Sequence, residues 1–246
     1  MDISTLERAA GTLLAPPNLV SADERRQAEN YFQDLKKSIS MEEAMHILHQ
    51  TENSFVLFEM AQAVGELTLR DWSLLDPQVV EATYKTLLEF VAARETLESY
   101  VIAEFLKTIA IIVKRGSLSG NDREDLYKFI HNLLMHQSPK LQSLGCRFIS
   151  ALIEQFSSAW RNSKFSITWD FHLKAKTEFE VTGLRRLLEF SLTTLHALNG
   201  QENILNDEFT KRLCEKFLEV AENILSWNFS SKLTRRFLCV NTVFFF

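Results

Sequence analysis

Residues 97 to 114 of the chain read LESYVIAEFLKTIAIIVK. Large apolar side chains recur here at helical spacing: Val101, Ile102, Phe105, Leu106, Ile109, Ile112 and Val113. This spacing predicts an α-helix with only narrow polar seams at Glu104, Lys107 and Thr108. We expect the helix to lie buried between layers of other helices. Its apolar run is too short to cross a bilayer, which takes roughly 20 apolar residues.

Start signals for further helices lie on both sides of this stretch. Ser21 with Glu24, and Ser40 with Glu43, fit the capping box, in which a hydroxyl and a carboxylate satisfy unpaired amides at a helix start. Asp76 and Ser138 each precede a proline, which suits the first helical position. A first short helix must end at Ala15-Pro16-Pro17. After it, the apolar spacing predicts helices at about 22–37, 41–50, 54–70, 77–93, 97–114, 122–135, 139–156, 172–179, 183–198 and 207–227.

The predicted helices stack in pairs. Successive pairs begin near Ala22, Ser54, Leu97 and Pro139. The interval between these starts is irregular, about 30 to 45 residues, and overlaps the range of HEAT and armadillo repeats. Apolar residues cover more than one face of the helices, so each pair must bury surface against neighbours on both sides. The predicted fold is all-α: a HEAT-like α-solenoid of stacked antiparallel helix pairs.

The composition is that of a folded protein from the cell interior. Of the 246 residues, 46% are hydrophobic and 24% are charged, which supports a substantial core. The net charge of -5 comes from acidic and basic residues mixed along the chain, so we expect no nucleic-acid binding. Three well-separated cysteines favour reduced thiols over disulfides, and the first residues lack a secretory signal. We expect no membrane insertion.

Candidate catalytic and metal sites are weak. His46 and His49 lie three residues apart on one predicted helix near Glu42 and Glu43, a pattern that could serve a zinc-dependent enzyme, but no further Cys or His completes a ligand set. Cys146 falls in a helix predicted to be buried, where a thiol behaves as a small hydrophobe. Gly-rich phosphate loops and serine-nucleophile motifs are missing from the sequence. We therefore expect no catalytic residues, no metal and no cofactor.

A polar and aromatic insertion, residues 157–170, interrupts the helical pattern. It carries Trp160, Phe165 and Trp169, and Phe171 follows it. Exposed aromatic residues on a loop can anchor a partner. Large aromatic side chains more often hide their apolar area from water. We therefore favour the interpretation in which these side chains pack back onto the helical stack.

Several short segments resemble a known family. Residues 28–32 (AENYF), followed by 55–58 (FVLF) and 70–72 (RDW), resemble the amino-terminal domain of importin-β-type nuclear transport receptors. Five more segments are similar, in order and spacing, to one of the exportins of that family: 6–10 (LERAA), 15–17 (APP), 112–118 (IVKRGSL), 154–158 (EQFSS) and 225–229 (LSWNF). The resemblance covers roughly residues 5–229 and is expected to end there.

The resemblance implies the first part of a nuclear export receptor. Receptors of this family bind the GTP-bound form of Ran together with protein cargo, contact nuclear pore proteins, and shuttle between nucleus and cytoplasm. Pattern and resemblance together predict three regions: an amino-terminal capping helix (1–17), a HEAT-repeat solenoid (18–229, with an importin-β amino-terminal type domain at about 22–95) and an atypical tail (230–246). The alternatives are a generic helical-repeat interaction scaffold and a truncated product without function.

The resemblance also suggests candidate contacts with Ran. In the family, the second helices of the first few repeats line the inner surface and meet Ran. With the helix pairs predicted above, the candidate Ran-binding residues are Glu42, Glu43, His46, Glu81, Lys85, Glu89, Asp125 and Lys128. Helical spacing places Glu81, Lys85 and Glu89 in one row. For each residue, the alternative is an ordinary solvated helix face.

Overall fold

The fold is all-α, as predicted. The computed structural model describes residues 2–94, 96–119, 123–157, 167–200, 207–232 and 235. Within these residues the chain forms eleven α-helices and no β-strand. The helices are α1 (Ile3–Leu14), α2 (Ala22–Ser38), α3 (Met41–Gln50), α4 (Ser54–Arg70), α5 (Pro77–Ala93), α6 (Ser99–Gly116), α7 (Glu124–Leu134), α8 (Pro139–Ser157), α9 (Trp169–Thr182), α10 (Leu184–Asn199) and α11 (Glu208–Leu225).

Capping side chains decide where several helices begin. The two predicted capping boxes, Ser21 with Glu24 and Ser40 with Glu43, are both present at the starts of α2 and α3. At the start of α5, the Asp76 carboxylate accepts a hydrogen bond from the amide of Gln78, the second residue of the helix, at 2.8 Å. These bonds satisfy amides that have no partner within the helix. The predicted bounds of the helices therefore lie close to the observed ones.

The chain divides into two compact units, Met1–Ile112 and Val113–Phe246. The boundary falls within α6, so the first unit contains α1 to α5 and most of α6. The second unit contains the end of α6 and α7 to α11. We expected a single solenoid over 18–229. The sequence showed no sign of this boundary, because neither a proline nor a glycine stands there.

In the first unit, α1, α3 and α5 form one layer. Thr51, directly after α3, donates a hydrogen bond through its hydroxyl to the Glu7 carboxylate of α1 at 2.7 Å. The His49 ring of α3 meets the Phe90 ring of α5, with 6.2 Å between the ring centroids. Arg94, directly after α5, donates through its guanidinium to the carbonyl of Thr51 at 3.4 Å. These contacts join the odd-numbered helices of this unit side by side.

The even-numbered helices α2, α4 and α6 form the second layer of this unit. Lys36 of α2 forms an ion pair with Glu59 of α4 at 2.7 Å, and both side chains are mostly buried. Thr108 of α6 donates through its hydroxyl to the Ala61 carbonyl of α4 at 2.8 Å. We expected Thr108 to lie on a polar seam, and that expectation is wrong. The side chain is fully buried because its hydroxyl finds a backbone acceptor on the neighbouring helix.

Helix α6 supplies apolar core to the first unit, as its sequence predicted. Val101, Phe105 and Ile109 are fully buried, whereas Ile102 is only half-buried. The Phe105 ring stacks on the Phe90 ring of α5, with 5.0 Å between the centroids. Burying each such side chain stabilises the fold by about 1.5 to 3 kcal/mol before the loss of entropy. Among the described helices, none has the length and apolarity needed to cross a membrane.

The second unit contains the helix pairs α7/α8 and α10/α11. Because α7 packs on α10 and α8 on α11, the first helices form one layer and the second helices another. The pair α7/α8 is close at Gly145, where an added Cβ would lie 2.7 Å from a methyl carbon of Leu134. Helix α9 stands outside this pairing and packs against α8 and α10. It begins earlier than predicted because Thr168 caps it.

The observed helix pairing differs by one helix from the predicted pairing. We expected α2 to pair with α3, α4 with α5, and α6 with α7. In the structure α1 packs on α2, α3 on α4, and α7 on α8. Arg25 of α2 joins the first pair, since its guanidinium donates to the carbonyls of Leu13 and Ala15 at the end of α1, each at 2.8 Å. Capping signals mark helix starts both within pairs and between pairs, so they could not indicate the pairing.

Lys114, near the end of α6, is a buried lysine. Its ammonium donates to the Gln155 carbonyl at 2.6 Å and so caps the last turn of α8. Burial and the neighbouring Lys176 lower the pKa of Lys114 to about 8. His172 of α9 is buried beside the same charges, and burial, Lys114 and Lys176 lower its pKa to about 4.

Candidate partner-binding site

The first group of predicted Ran-binding residues lies on α3. Glu42, Glu43 and His46 are all exposed. The Glu43 carboxylate accepts hydrogen bonds from the amide and the hydroxyl of Ser40, each at 2.9 Å, and these bonds lower the pKa of the Glu43 carboxyl. The His46 ring nitrogen Nε2 lies 2.8 Å from the side-chain nitrogen of Gln50. Glu43 and His46 therefore already have local bonds that a partner would have to share.

The second group forms a row along α5, as its spacing predicted. Lys85 pairs with the Glu81 carboxylate at 3.3 Å, one turn away. The Lys85 side chain is 59% exposed, and Glu89 is exposed one turn further along. Exposed ion pairs of this kind contribute little to stability. A partner can therefore recruit Lys85 at small cost to the fold.

The α3 and α5 groups belong to the same layer of the first unit. Their helices are joined by the contact of His49 with Phe90 and by Arg94, whose guanidinium lies 3.3 Å from the Glu52 carboxylate. The remaining two predicted residues, Asp125 and Lys128, are exposed on α7 of the second unit.

All eight residues lie on odd-numbered helices. We placed them on the second helices of pairs, and for α3 and α7 that placement is wrong, because these helices are the first members of the pairs α3/α4 and α7/α8. Helix α5 shares its layer with α3, as the His49–Phe90 contact indicates. Seven of the eight residues are exposed as expected, and Glu81 is half-buried. Those on α3 and α5 lie in the layer of α1, α3 and α5 of the first unit, and those on α7 lie on the first helix of a pair in the second unit.

The second-helix layer of the first unit carries a row of aromatic rings that we did not predict. Phe32 of α2 meets Phe55 of α4 at 5.4 Å between centroids, and Phe58 of α4 meets Tyr100 of α6 at 5.6 Å. Phe55 and Phe58 lie 6.5 Å apart and are half-buried, and Tyr100 is 45% exposed. Such edge contacts stabilise neighbouring helices. One sequence feature could have drawn attention to this row of rings: Phe55 and Phe58 both lie in one of the segments that resemble the family.

Comparison with known proteins identifies the family. The family model described as Exportin-4 matches residues 5–243. The chain belongs to the exportin-4 family. The predicted resemblance to importin-β-type receptors, and among them to the amino-terminal part of exportin-4, is thereby confirmed. Its expected end at residue 229 is wrong, since the exportin-4 match continues to residue 243.

One curated relative of the exportin-4 family is Exportin-4 of Dictyostelium discoideum. It is 22% identical over 130 residues, which is 48% of this chain and 12% of that relative. The matched part of the chain therefore spans only a small share of the relative's length. The activity and partners of a whole exportin-4 are accordingly proposals for this chain.

Membership of the exportin-4 family points to a transport receptor rather than an enzyme. In the described part of the chain, no group of three or more His, Cys, Asp or Glu side chains is placed to hold a metal ion. Cys146 is buried in α8, and burial raises the pKa of its thiol to about 12. A thiol with such a pKa stays protonated at neutral pH, so Cys146 is a poor nucleophile.

The insertion of this exportin-4-family chain is only partly described. Trp160 and Phe165 lie outside the described residues. Trp169 begins α9 and is 58% exposed, so the expectation that it packs back onto the stack is wrong. Phe171 is half-buried, with the Arg115 guanidinium 5.4 Å from its ring centroid.

The second unit has a cavity of about 600 Å³. Phe156 and Phe179, whose rings stack at 4.1 Å, form part of its apolar wall. Arg185 and Arg186 form part of its polar wall, and each pairs with a glutamate of the same unit. These two ion pairs place opposite charges together in the polar part of the wall.

Proposed function

We propose that this chain is the amino-terminal part of a nuclear export receptor that binds Ran-GTP and helps to carry protein cargo through the nuclear pore. The exportin-4 family match over residues 5–243 is the observation that carries the proposal. The layered helix pairs support it, because stacked repeats offer extended surfaces to protein partners. Nuclear pore proteins are further partners in this proposal, and the receptor shuttles between nucleus and cytoplasm.

The proposed Ran contact begins with polar side chains on α3 and α5 of the first unit and on α7 of the second unit. These are the eight residues Glu42, Glu43, His46, Glu81, Lys85, Glu89, Asp125 and Lys128. Exposed charges of both signs favour the encounter with a charged partner and its orientation. The observed pairing adds a second candidate, the layer of α2, α4 and α6, because the family resemblance implied contacts through second helices. The two layers therefore compete as the site of Ran contact.

A pull-down with Ran in two nucleotide states tests the function. The purified chain is offered to Ran loaded with a non-hydrolysable GTP analogue and to Ran loaded with GDP. We expect clearly higher recovery with the GTP form. Equal recovery of the two forms would contradict the proposal.

Two charge-reversal variants decide between the candidate layers. Lys85→Glu with Glu89→Lys changes the α5 row, and Glu29→Lys changes an exposed position of α2. Loss of Ran-GTP recovery only in the first variant supports the eight residues. Loss only in the second variant moves the Ran contact to the second-helix layer and leaves the proposed function intact.

A further inference from the structure

Glu180 of α9 is a fully buried carboxylate that binds the segment after α11. It accepts hydrogen bonds from the indole N–H of Trp227 and from the backbone amide of Ser230, each at 2.9 Å. The Ser230 hydroxyl donates to the same carboxylate. The Thr177 hydroxyl donates to the Ser230 oxygen at 3.1 Å. Residues 227–230, here called the exit segment, are thus held against α9.

The aromatic residue of the exit segment is seated among groups of α9. Trp227 is only 7% exposed, and its ring centroid lies 6.0 Å from that of Phe179. The Lys176 ammonium lies 5.3 Å from the same indole ring and donates a hydrogen bond to the Asn228 carbonyl. The position of Trp227 therefore depends on two sets of polar bonds. Lys176 holds the neighbouring Asn228 carbonyl, and Glu180 holds the indole N–H.

Ser230 is accessible although its partner is buried. The residue is exposed and lies in the non-helical segment that follows α11. Lys232 and Arg235 follow it closely in the sequence. Charge patterns around the acceptor residue are one means by which protein kinases select substrates. The exit segment thus presents a hydroxyl with basic residues on its carboxyl-terminal side.

We propose that Ser230 is a phosphorylation site that controls the exit segment. A protein kinase that prefers basic residues after the acceptor transfers the γ-phosphoryl group of a nucleoside triphosphate to the Ser230 oxygen. The new O–P bond forms as the bond from the γ-phosphorus to the bridging oxygen breaks. The nucleoside diphosphate leaves, and the hydroxyl proton passes to the base of the kinase.

The added charge opposes Glu180. A phosphoserine carries about -1.5 to -2 charges at pH 7 and no longer offers the hydroxyl donor. Glu180 is fully buried, so water screens the repulsion only from the side of the exposed Ser230. The Lys176 ammonium already donates to the Asn228 carbonyl, and a phosphate on Ser230 would compete with that carbonyl for it. Phosphorylation therefore releases the exit segment and uncovers Phe179 beneath Trp227.

The first experiment asks whether the site is modified. The full chain is incubated with a kinase of this preference and ATP, and its peptides are examined by mass spectrometry. We expect phosphate on Ser230 in preference to Ser226, an exposed serine close by that has no bond to Glu180. Modification of other serines with none at Ser230 would overturn the proposal.

The second experiment measures release of the exit segment by hydrogen exchange. In Ser230→Glu we expect the amides of residues 227–230 to exchange about tenfold faster than in the unmodified chain. The matched control is Ser226→Glu, which adds the same charge close by and should leave these amides unchanged. Equal effects of the two variants, or no effect of Ser230→Glu, would overturn the proposal.

A double variant tests whether charge repulsion is the cause. Adding Glu180→Gln to Ser230→Glu removes the like charge and keeps a side-chain oxygen as acceptor for Trp227. We expect the slow exchange of residues 227–230 to return in part. Ser230→Ala, which keeps the bond between Glu180 and Trp227, should raise exchange less than Ser230→Glu does. Exchange in the double variant as fast as in Ser230→Glu would contradict the repulsion mechanism.

Discussion

The hydroxyl of Thr108 lies 2.8 Å from the carbonyl oxygen of Ala61, so a buried hydrogen bond joins α6 to α4. The helices approach closely here, because a Cβ added to Gly65 would stand 3.2 Å from the same hydroxyl oxygen. A glycine on one helix and a small hydroxyl residue on the other permit this approach. The bond fixes the two helices of the second layer of the first unit relative to each other.

Thr108→Val should lower the free energy of unfolding by about 1 to 2 kcal/mol, because it removes a buried hydrogen bond while keeping a similar side-chain shape. Thr68→Val is the matched control, since Thr68 is equally buried but bonds to the Val64 carbonyl of its own helix at 2.8 Å. Urea titration followed by circular dichroism compares the variants. An equal loss in both would show that the bond between helices contributes nothing beyond a local one.

Phe105→Asp should unfold the first unit at ordinary temperature. The substitution places a carboxylate where the side chain is fully buried against Phe90, and it has no partner there. Ala103→Asp, at an exposed position of the same helix, should change the melting temperature by no more than a few degrees. Thermal circular dichroism measures both. An unchanged melting temperature in Phe105→Asp would contradict the buried position of α6.

Acid should destabilise the second unit through His172. The pKa of His172 is about 4 in the folded chain against an ordinary value of 6.5, so the unfolded chain binds the proton more readily. Stability is therefore lost as the pH falls from about 6.5 towards 4. His172→Gln should flatten this part of the pH profile, and His196→Gln at an exposed position should not. Urea midpoints measured between pH 7 and pH 4.5 test this, and identical profiles would refute it.

Two glycine substitutions should have opposite effects. Gly145→Ala puts a methyl group within 2.7 Å of Leu134 in the close contact of α7 with α8, so we expect a net destabilisation of about 1 kcal/mol or more. Gly11→Ala meets no atom within 4 Å, and helix propensity should stabilise α1 by up to about 1 kcal/mol. Urea titration of both variants is the measurement. Stabilisation by Gly145→Ala would mean that the two helices are further apart than described.

Local features of the fold could be predicted from the sequence, because they depend on neighbouring residues. Ser21, Ser40 and Asp76 act on amides within the next turn, so their spacing alone marked the starts of three helices. Asn53 performs the same task at the start of α4, where we did not recognise it. The apolar spacing in α6 likewise indicated its burial.

Features that join distant parts of the chain could not be predicted. The bond of Lys114 to Gln155 and that of Glu180 to Trp227 connect residues far apart in sequence, and nothing local distinguishes these charges from solvated ones. The same limit applies to the candidate site. The row of Glu81 and Lys85 was predictable from helical spacing. The layer to which the row belongs depended on the helix pairing, which only tertiary contacts reveal.

The most direct test of the central claim is the affinity of the purified chain for Ran in its two nucleotide states, measured by biolayer interferometry at physiological salt. The account predicts saturable binding of Ran loaded with a GTP analogue, at least about tenfold tighter than binding of Ran-GDP, a difference of about 1.4 kcal/mol. Indistinguishable affinities for the two forms, or no binding to either, would contradict the claim that this chain is the Ran-binding part of an export receptor.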